Sequence, residues 1–531
     1  MHIQNISFSK VQQFSDRDIH YQTKPEDFQE FIAYMPTETE LIRAASDRKS
    51  FPVDRALLRE VLLDQYKDVG LHPLQKEHID LLENENTFTL VTAHQPCLFS
   101  GPLYYITKIL STVKLAAHLN KSQDQFRFVP VFINGSEDHD FDEIGHLNLF
   151  NKRVSWQTGQ TGAIGRMSLE GIPEAIREAC DILGAGDDAQ NISKLLHNSL
   201  EKSADYNEFV SHFVNGLLGH TGIVLCMMDD VRIKKAIIPI IKKEVLHATS
   251  QHLVVETQEA IESRLGYKPQ AFARGINMFY MTDGQRARIE KEGGVYKVLD
   301  TNISFSEAEM EAEIESHPER FSPNVVIRPL MQEAILPNVA YVGGGGELAY
   351  WMERKSQFDA FGLFYPCLIR RNSLMILSKS QSAAIEKLGL QVEELFEKED
   401  DIIRDFLQKQ TDVELDLNEE ISMITKAMSL IADKAEVIDP TLKPAVLAES
   451  SKIEKQIEQI ESRIRRSLKK QEETQVNQIK NLKSKLFPGN GLQERTDNFL
   501  QYYVLFGPQI EQKLMEELNP LDKAFKVFID K

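Results

Sequence analysis

The sequence is poor in cysteine and contains no long hydrophobic run. Its four cysteines are widely spaced and form no CxxC pair, so they provide neither a disulfide framework nor the cysteine pairs of a structural zinc site. No stretch reaches the roughly 18 consecutive apolar residues of a membrane-spanning helix. The segment from Met1 to Arg17 also lacks the apolar stretch of a signal peptide. These absences predict a cytoplasmic protein that does not interact with a membrane.

The sequence also lacks an excess of basic residues. Its 61 Lys and Arg residues are outnumbered by 80 Asp and Glu residues, which gives a formal net charge of −19. Nucleic-acid binding usually needs a basic face, because neutralisation of phosphates supplies most of the affinity. The basic run from Arg463 to Lys470 lies within an acidic helical stretch, and we interpret it as a solvated helix face. We therefore expect no nucleic-acid partner.

What the sequence does have is ample apolar material for a large core. Hydrophobic residues make up 42% and charged residues 27% of the 531 residues, as in ordinary globular proteins. A strand is predicted from Phe88 to Val91, a helix from Leu103 to Leu119, and a second strand from Phe128 to Ile133. This order is the βαβ unit of a parallel sheet. We therefore predict an α/β fold, in which ligands bind at the carboxyl ends of the strands.

Polar side chains follow both of these predicted strands. His94 and Gln95 follow the first strand, and an acidic cluster follows the second. The members of the cluster are Glu137, Asp138, His139 and Asp140. Carboxylates this close together repel one another if buried, which favours a bound cation, a substrate ammonium group or a catalytic task. His139 is the candidate base, because histidine titrates near neutrality. The alternative is an exposed acidic loop, and no metal-ligating set is predicted.

Two other segments offer groups that bind anions. Gly101 and Lys108 lie near the start of the predicted helix that begins at Leu103, and a helix N-terminus favours an anion. A loop of four glycines, 343–346, follows a predicted strand at Val339 to Val342. Its backbone N–H groups are able to approach a phosphate or a sugar, although its spacing matches no dinucleotide or P-loop motif. The alternative is a tight turn.

Charged side chains accompany the glycine loop. Glu347 is expected either to hold a hydroxyl group of a ligand or to cap the following helix. Arg328 and Arg371 are candidate clamps for a carboxylate or a phosphate, and the alternative is ordinary ion pairing.

Beyond about residue 380 the strand signal fades and a helical repeat appears. Ile453, Ile457, Ile460 and Ile464 recur with 4-3-4 spacing. This spacing is typical of a coiled coil. A long apolar stripe needs a partner, and both an antiparallel helix of the same chain and a second subunit remain open.

Taken together, these segments resemble the bacillithiol-biosynthesis cysteine-adding enzymes in order and spacing across most of the chain. The segments that carry the resemblance are Thr92–Gln95, Gly101–Tyr104, Val129–Phe132, Glu137–Phe141, Ser322–Asn324, Arg328-Pro329, Gln332-Glu333 and Gly343–Tyr350. One departure is Gly345, which occupies a position where that family usually has proline.

The resemblance implies an α/β fold with a Rossmann-like parallel-sheet core and connecting insertions, followed by a C-terminal α-helical coiled coil. The core would span residues 1–380, with insertions at about 155–220 and 265–320, and the helical domain would span 381–531 and mediate homodimers. The implied reaction joins L-cysteine to the amine of glucosaminyl-malate. ATP would activate the cysteine carboxylate, and Mg²⁺ would accompany the nucleotide.

The resemblance also implies site residues. The expected catalytic residues are Glu137, Asp138, His139 and Asp140. The expected nucleotide- or substrate-binding residues are His94, Gln95, Gly101, Lys108, Asn324, Arg328, Gln332, Gly343, Gly344, Gly346, Glu347, Tyr350, Arg371 and Ser373. Two alternatives remain: a nucleotidyl transferase acting on another substrate with the same core, and a non-catalytic coiled-coil binding protein.

Overall fold

A computed structural model describes residues 1–411 and 415–530. The strands in chain order are β1 (His2–Ser7), β2 (Thr87–His94), β3 (Arg127–Asn134), β4 (His146–Leu149), β5 (Lys152–Ser155), β6 (Val224–Met227), β7 (Met278–Thr282), β8 (Gln285–Glu292), β9 (Val295–Val298), β10 (Ser304–Phe305), β11 (Phe321–Pro323), β12 (Asn338–Gly343), β13 (Cys367–Arg370), β14 (Leu374–Leu377) and β15 (Ala524–Ile529).

The α-helices surround and extend these strands. In chain order they are α1 (Asp16–Thr23), α2 (Glu38–Arg48), α3 (Arg55–Gln65), α4 (Pro73–Leu81), α5 (Tyr104–Ser122), α6 (Phe141–Ile144), α7 (Ile172–Leu183), α8 (Asp187–Glu201), α9 (Tyr206–Leu218), α10 (Val231–Ala236), α11 (Ile238–Val245), α12 (Ser250–Leu265), α13 (Glu307–Ser316), α14 (Arg328–Ile335), α15 (Gly345–Met352), α16 (Lys355–Phe361), α17 (Lys379–Lys387), α18 (Glu399–Lys409), α19 (Asn418–Ile438), α20 (Leu442–Gln471), α21 (Glu473–Leu486), α22 (Phe499–Phe506) and α23 (Gln509–Glu517). None of these helices is long and apolar enough to cross a membrane.

A five-stranded parallel sheet, in the order β13-β12-β2-β3-β6, forms the centre of the molecule. Almost every residue of β2 and β3 is buried, as expected for strands covered on both faces. The two strands pair along their whole length, from Thr87 opposite Arg127 to His94 opposite Asn134. Their carboxyl ends therefore lie side by side, and α5 makes the connection between them. The predicted βαβ unit is confirmed.

An antiparallel sheet, in the order β10-β9-β8-β7-β11, lies in the segment between α12 and α14. Strands β7 to β10 pair as consecutive hairpins, with Phe279 opposite Arg288. Strand β11 returns to the other side of β7, where Ser322 lies opposite Phe279. The edge strand β11 runs directly into the turn that begins α14, so this sheet is tied to the parallel core next to the strand ends.

The C-terminal region combines a helical hairpin with a small sheet. Helices α19 and α20 pack against each other as an antiparallel pair, so the partner of the isoleucine stripe comes from the same chain. Ile460 and Ile464 nevertheless remain about half exposed, at 50% and 41%. The small sheet, in the order β1-β15-β14, joins the first strand of the chain to Ala524–Ile529. Its central strand, β15, lies in a region with little strand signal in the sequence.

Candidate functional site

A cavity of about 630 Å³ opens at the carboxyl ends of β2, β3 and β12. This size suits a small-molecule ligand, since such sites typically enclose roughly 300–1,000 Å³. The loops after β2 and β3 and the glycine loop form one side of the cavity. The antiparallel sheet, α10 and α14 form the other side, and Arg495 reaches it from the C-terminal region.

The acidic cluster forms one part of this wall. Glu137 is buried and its carboxylate forms an ion pair with Lys234 of α10, which is itself buried. Asp138 accepts a hydrogen bond of 2.8 Å from Gln95 Nε2 and bonds of 2.7 and 3.3 Å from the backbone N–H groups of the two following residues. Lys234 therefore neutralises Glu137, while amides surround Asp138 and leave its negative charge facing the cavity.

Two buried polar atoms of this wall lack a hydrogen-bond partner among the described residues. They are Asn134 Oδ1 and Ser136 Oγ, and both residues line the cavity. A buried polar group without a partner costs about 1–3 kcal/mol, so both atoms are suited to bind a polar ligand group. Gly135 between them brings the chain close to β2: its N–H donates a 2.8 Å hydrogen bond to the carbonyl oxygen of His94.

His139 lies at the rim of the cavity and is held by Arg286 of β8. Arg286 Nη1 donates to His139 Nδ1 over 2.6 Å, and the same guanidinium donates to Ser322 Oγ and the Pro323 carbonyl oxygen. Burial and the charge of Arg286 lower the pKa of His139. Because Nδ1 accepts a hydrogen bond, the neutral ring carries its hydrogen on Nε2. Asp140, the next residue, is exposed.

Arg328 forms the basic part of the wall. It begins α14, where Asn324 Oδ1 accepts hydrogen bonds from the backbone N–H groups of Val326 and Ile327 and so shapes the turn into the helix. Arg328 Nη1 donates to Gln332 Oε1 over 2.8 Å, whereas Nη2 is buried without a partner in the described part of the chain. That free N–H group is available to an anion.

Arg371, just after β13, forms a second basic group. Its Nη1 and Nη2 donate to both carboxylate oxygens of Glu494, at 3.0 and 2.9 Å, and both side chains are buried. The Glu494 carboxylate raises the pKa of Arg371, although burial alone would lower it. Arg371 Nε is buried and unpaired within the described residues, and Ser373 Oγ accepts from Nη1 at 3.2 Å. The C-terminal region thus orients a cavity residue.

Glu347 and Lys108 support the glycine loop. Glu347 Oε2 accepts a hydrogen bond from the N–H of Gly344 over 2.8 Å and so caps α15. Helix capping was one of the two roles expected for this residue. Its Oε1 accepts from Lys108 Nζ and from Tyr341 Oη, both at 2.8 Å. Burial alone would raise the pKa of Glu347, but Lys108 and the backbone N–H lower it to about 2. Lys108 Nζ also donates to the carbonyl oxygen of Ala93, so the protein itself supplies two of its partners.

Gly345 leaves room for a side chain of α1. A Cβ atom at this position would lie only 2.1 Å from Asp18 Cγ. Asp18 in turn forms a buried ion pair with Arg370, with 3.0 Å between Arg370 Nη2 and Asp18 Oδ2. The departure from proline at Gly345 thus accompanies close packing of Asp18 against the loop.

His94 closes the end of β2. Its Nδ1 lies 3.1 Å from the carbonyl oxygen of Gln95, so Nδ1 carries the hydrogen, and Nε2 accepts from Tyr104 Oη at 3.1 Å. Burial, with a smaller contribution from Lys108, lowers the pKa of His94 to about 4. The ring is therefore neutral at pH 7.

The structure brings eleven of the expected site residues together around the cavity. They are His94, Gln95, Glu137, Asp138, Asn324, Arg328, Gly344, Gly346, Glu347, Tyr350 and Arg371. The other expected residues lie behind or beside its lining. They are Gly101, Lys108, His139, Asp140, Gln332, Gly343 and Ser373.

Sequence reasoning missed several cavity residues. The polar ones are Asn134, Ser136, Lys234, Gln270, Arg286 and Arg495. Asn134 and Ser136 directly precede the acidic cluster, so their position after β3 was a usable signal. Arg286 and Arg495 come from segments far away in the chain and carried no local signal. Within residues 1–411 and 415–530, no group of three or more His, Cys, Asp and Glu side chains is placed to hold a metal ion.

The fold defines a Rossmann-like α/β protein with a cavity at its strand ends and a C-terminal coiled-coil domain. Residues 1–372 match the family model "Bacillithiol biosynthesis BshC, N-terminal Rossmann-like domain", and residues 374–529 match its "C-terminal coiled-coil domain". The chain belongs to the BshC family of bacillithiol biosynthesis. The predicted fold class and the resemblance noted in the sequence are both confirmed.

Relatives from several bacteria match over nearly the whole chain. A protein of Christiangramia forsetii is 36% identical over 98% of both chains, and one of Flavobacterium psychrophilum is 35% identical over 98% of both. A Salinibacter ruber protein is 28% identical over 91% of this chain and 90% of its own. All three are named "Putative cysteine ligase BshC". These names agree with the prediction of an enzyme of the ligase class.

Proposed function

We propose that this chain is a cysteine ligase that adds L-cysteine to the amine of glucosaminyl-malate. The observation that carries the proposal is the composition of the cavity wall. The Asp138 carboxylate and the free N–H groups of Arg328 and Arg371 line the same 630 Å³ space. A reaction between an amino acid and an amino sugar that carries a dicarboxylate needs sites for ammonium and carboxylate groups together.

In this proposal the acidic side binds amines. Among the described residues Asp138 accepts hydrogen bonds from one side-chain amide and two backbone N–H groups, so its charge attracts an ammonium group. Asn134 Oδ1 and Ser136 Oγ, which lack partners among the described residues, accept hydrogen bonds from the same amine or from a sugar hydroxyl. Glu137 shapes this side through its ion pair with Lys234 rather than as a free charge.

Arg328 holds a carboxylate of the malate group in this proposal. Its Nη2 is buried, unpaired in the described chain and part of the cavity wall. A charge-assisted hydrogen bond from a guanidinium to a carboxylate contributes more than a neutral one. Because the other terminal nitrogen is already bonded to Gln332, the guanidinium presents a single defined N–H edge to the ligand.

ATP is the proposed source of activation, because amide formation from a free carboxylate is otherwise unfavourable. The residues that fit its phosphates are the glycines at the start of α15, Arg371 with its free Nε, and Arg495. Mg²⁺ would enter with the nucleotide. The activated carboxylate is an acyl-adenylate or an acyl phosphate.

His139 is the proposed acceptor of the proton that the attacking amine loses. Its lowered pKa keeps the ring neutral at pH 7, as a base requires. Its Nδ1 is bonded to Arg286, which lines the cavity. In our proposal a bound anionic group draws Arg286 away and frees Nδ1. The base thus becomes active only when substrate is present.

The reaction itself provides the test. Purified protein is mixed with glucosaminyl-malate, L-cysteine and Mg²⁺, with and without ATP, and products are identified by mass spectrometry. A bacillithiol mass that requires ATP supports the whole proposal. Product without ATP overturns the activation step alone. A nucleotide-dependent product without cysteine would favour a nucleotidyl transferase. No product and no ligand binding would favour a non-catalytic role.

His139→Ala tests the base separately. We expect kcat to fall roughly 10²-fold, within the usual range for loss of a general base, with the far-ultraviolet circular dichroism unchanged. Asp142→Asn is the matched control, because Asp142 is an exposed carboxylate three positions from His139 and does not line the cavity. Normal turnover by His139→Ala would remove His139 from the mechanism.

We also propose that the chain forms a cytoplasmic homodimer through the α19–α20 hairpin. The support is the exposed apolar surface that the hairpin leaves, including Leu430, Ile431, Ile460 and Ile464. Exposed apolar patches of this kind are typical of association surfaces.

A further inference from the structure

Three polar side chains of one helix, α14, connect the cavity to the closed interior. Arg328 and Gln332 lie four positions apart and therefore on the same face of the helix. Arg328 Nη1 donates to Gln332 Oε1 over 2.8 Å, and Gln332 Nε2 donates to Glu333 Oε1, also over 2.8 Å. Gln332 and Glu333 are buried at 0% and 1% exposure. Only Arg328 reaches the cavity wall.

The direction of these hydrogen bonds is determined by Glu333. A glutamine amide has a donating and an accepting end that are able to exchange by rotation. Glu333 Oε1 accepts from Gln332 Nε2 and from Asn338 Nδ2, at 2.8 and 2.7 Å, so the NH₂ group of Gln332 must face it. The carbonyl oxygen of Gln332 then faces Arg328, where only an acceptor is favourable.

The Gln332 amide keeps the same orientation when Glu333 is protonated. Burial raises the pKa of this carboxyl group to about 7, so both forms are present near neutrality. Its second oxygen, Oε2, is buried without a partner in the described chain. A proton on Oε2 leaves Oε1 as an acceptor, and the bond from Gln332 remains.

The Glu333 side chain is not needed to hold the end of α14. Arg48 of α2 already binds the backbone there, because its guanidinium donates to the carbonyl oxygens of Glu333, Leu336 and Asn338, at 3.0, 2.9 and 3.1 Å. The helix end is therefore fixed by Arg48. The buried carboxyl group instead has the two side-chain amides as its partners.

We propose that Glu333 is a positioning residue, which acts through Gln332 to point the free Nη2 of Arg328 at an anionic group of the substrate. This inference rests on the proposed role of Arg328 as a carboxylate site. Loss of an acceptor at position 333 leaves the buried NH₂ group of Gln332 without its partner. The amide then shifts towards another acceptor and no longer holds Arg328 Nη1 in place. The guanidinium then turns away from the cavity, and the anion binds more weakly.

Binding of L-malate to the full-length protein, measured by isothermal titration calorimetry, tests the inference. Glu333→Met removes the acceptor at nearly constant volume, and Gln332→Met removes the middle residue. We expect each to weaken malate binding about tenfold, as expected for loss of one oriented charge-assisted hydrogen bond. Glu333→Gln keeps a carbonyl acceptor, and its affinity is expected to stay within about threefold of the wild type.

Unfolding in urea, measured on the same variants, separates positioning from simple stabilisation. Glu333→Gln and Glu333→Met are both expected to lower stability, because each disturbs a buried polar group. Only the methionine variant is expected to lose affinity. In turnover, the proposed positioning of Arg328 by Glu333 predicts that Glu333→Met raises the KM for the malate-bearing substrate and leaves the KM for cysteine unchanged.

The outcomes separate the two proposals. Suppose that the wild type binds malate and Arg328→Gln does not, so that the carboxylate site stands. If Glu333→Met and Gln332→Met then bind malate as the wild type does, the positioning role of Glu333 is wrong. If Glu333→Gln loses as much affinity as Glu333→Met, the positioning role is also wrong, since the charge of Glu333 rather than its acceptor oxygen would matter. If the wild type does not bind malate, both the carboxylate site at Arg328 and the positioning role of Glu333 are wrong. Should Glu333→Met fail to fold, Gln332→Met gives the same readout.

Discussion

The cavity region and the α19–α20 hairpin use helices in opposite ways. Helix α5, beside the cavity, buries most of its residues, including Lys108, against the parallel sheet. In α19 and α20 together, only Ala432 and Ser450 are buried. A helix packed on several sides is held by the core, whereas a two-helix hairpin is held along one narrow strip and leaves apolar side chains in solvent. The first arrangement fixes polar groups at the cavity, and the second leaves apolar side chains for the association that we propose.

One segment of the C-terminal region belongs physically to the cavity rather than to the hairpin. Glu494 pairs with Arg371, and Asn498 Nδ2 donates to the carbonyl oxygens of Phe99 and Gly101. These contacts hold the loop between β2 and α5 as well as the loop after β13. The exposed hairpin is therefore distinct from the segment around Glu494 and Asn498, which packs against the parallel-sheet core beside the cavity.

Removal of the buried ion pair between Glu494 and Arg371 should change the free energy of unfolding more than any other substitution proposed here. Glu494→Ala leaves the Arg371 guanidinium buried without its carboxylate partner. We expect the free energy of unfolding to fall by about 3–5 kcal/mol, measured by urea denaturation. Glu449→Ala, which removes an exposed i,i+3 ion pair with Lys452 on the hairpin, is the control and should cause no measurable change. Equal stability of the two variants would contradict the role of this link.

Charging the hairpin surface should change assembly without affecting the core. In the double variant Ile460→Lys/Ile464→Lys, two half-exposed apolar side chains become cationic. We expect light scattering to show the mass of one chain instead of two, with an unfolding free energy of the core within about 0.5 kcal/mol of the wild type. Lys452→Ala, an exposed polar position on the same helix, is the control. A dimer that persists would place the interface elsewhere.

The smallest expected effect is a pair of opposite pH dependences within the core. Burial raises the pKa of Glu333 to about 7, so the stability from this group is present below its unfolded pKa of 4.5 and is lost as the pH rises to 7. Burial lowers the pKa of His94 to about 4, so its stability is present above 6.5 and is lost as the pH falls to 4. The two contributions oppose each other between about pH 4.5 and 6.5.

Two substitutions separate these contributions. Relative to wild type, Glu333→Gln should show stability that increases more steeply with pH between 4.5 and 7, because the opposing group is gone. His94→Gln should show the reverse between 4 and 6.5. Each difference is expected to amount to about 1–3 kcal/mol across its window, from urea titrations at several pH values. Parallel curves for wild type and both variants would show that neither group titrates as described.

Much of the cavity followed from local sequence patterns. Two apolar runs with a helix between them predict neighbouring parallel strands, and such strands end at the same edge of the sheet. His94, Gln95 and Asp138 were placed together on that basis, and the structure joins Gln95 to Asp138 at 2.8 Å. The pairing of Lys108 could not be foreseen, since a lysine near a helix start was expected to face either an anion or the solvent. It binds Glu347 instead, because the carboxylate of that residue, at the start of α15, lies 2.8 Å from Lys108 Nζ.

By itself, the sequence determined the fold class, the strand-end location of the polar residues and the coiled-coil repeat, since each depends on periodicity and order within short segments. The tertiary structure alone decided which distant groups meet. Arg286 holds His139, Lys234 neutralises Glu137, and Glu494 orients Arg371. It also placed Ala524–Ile529 between β1 and β14. Such pairings depend on how separate segments pack around one core, and no local pattern in the chain encodes that geometry.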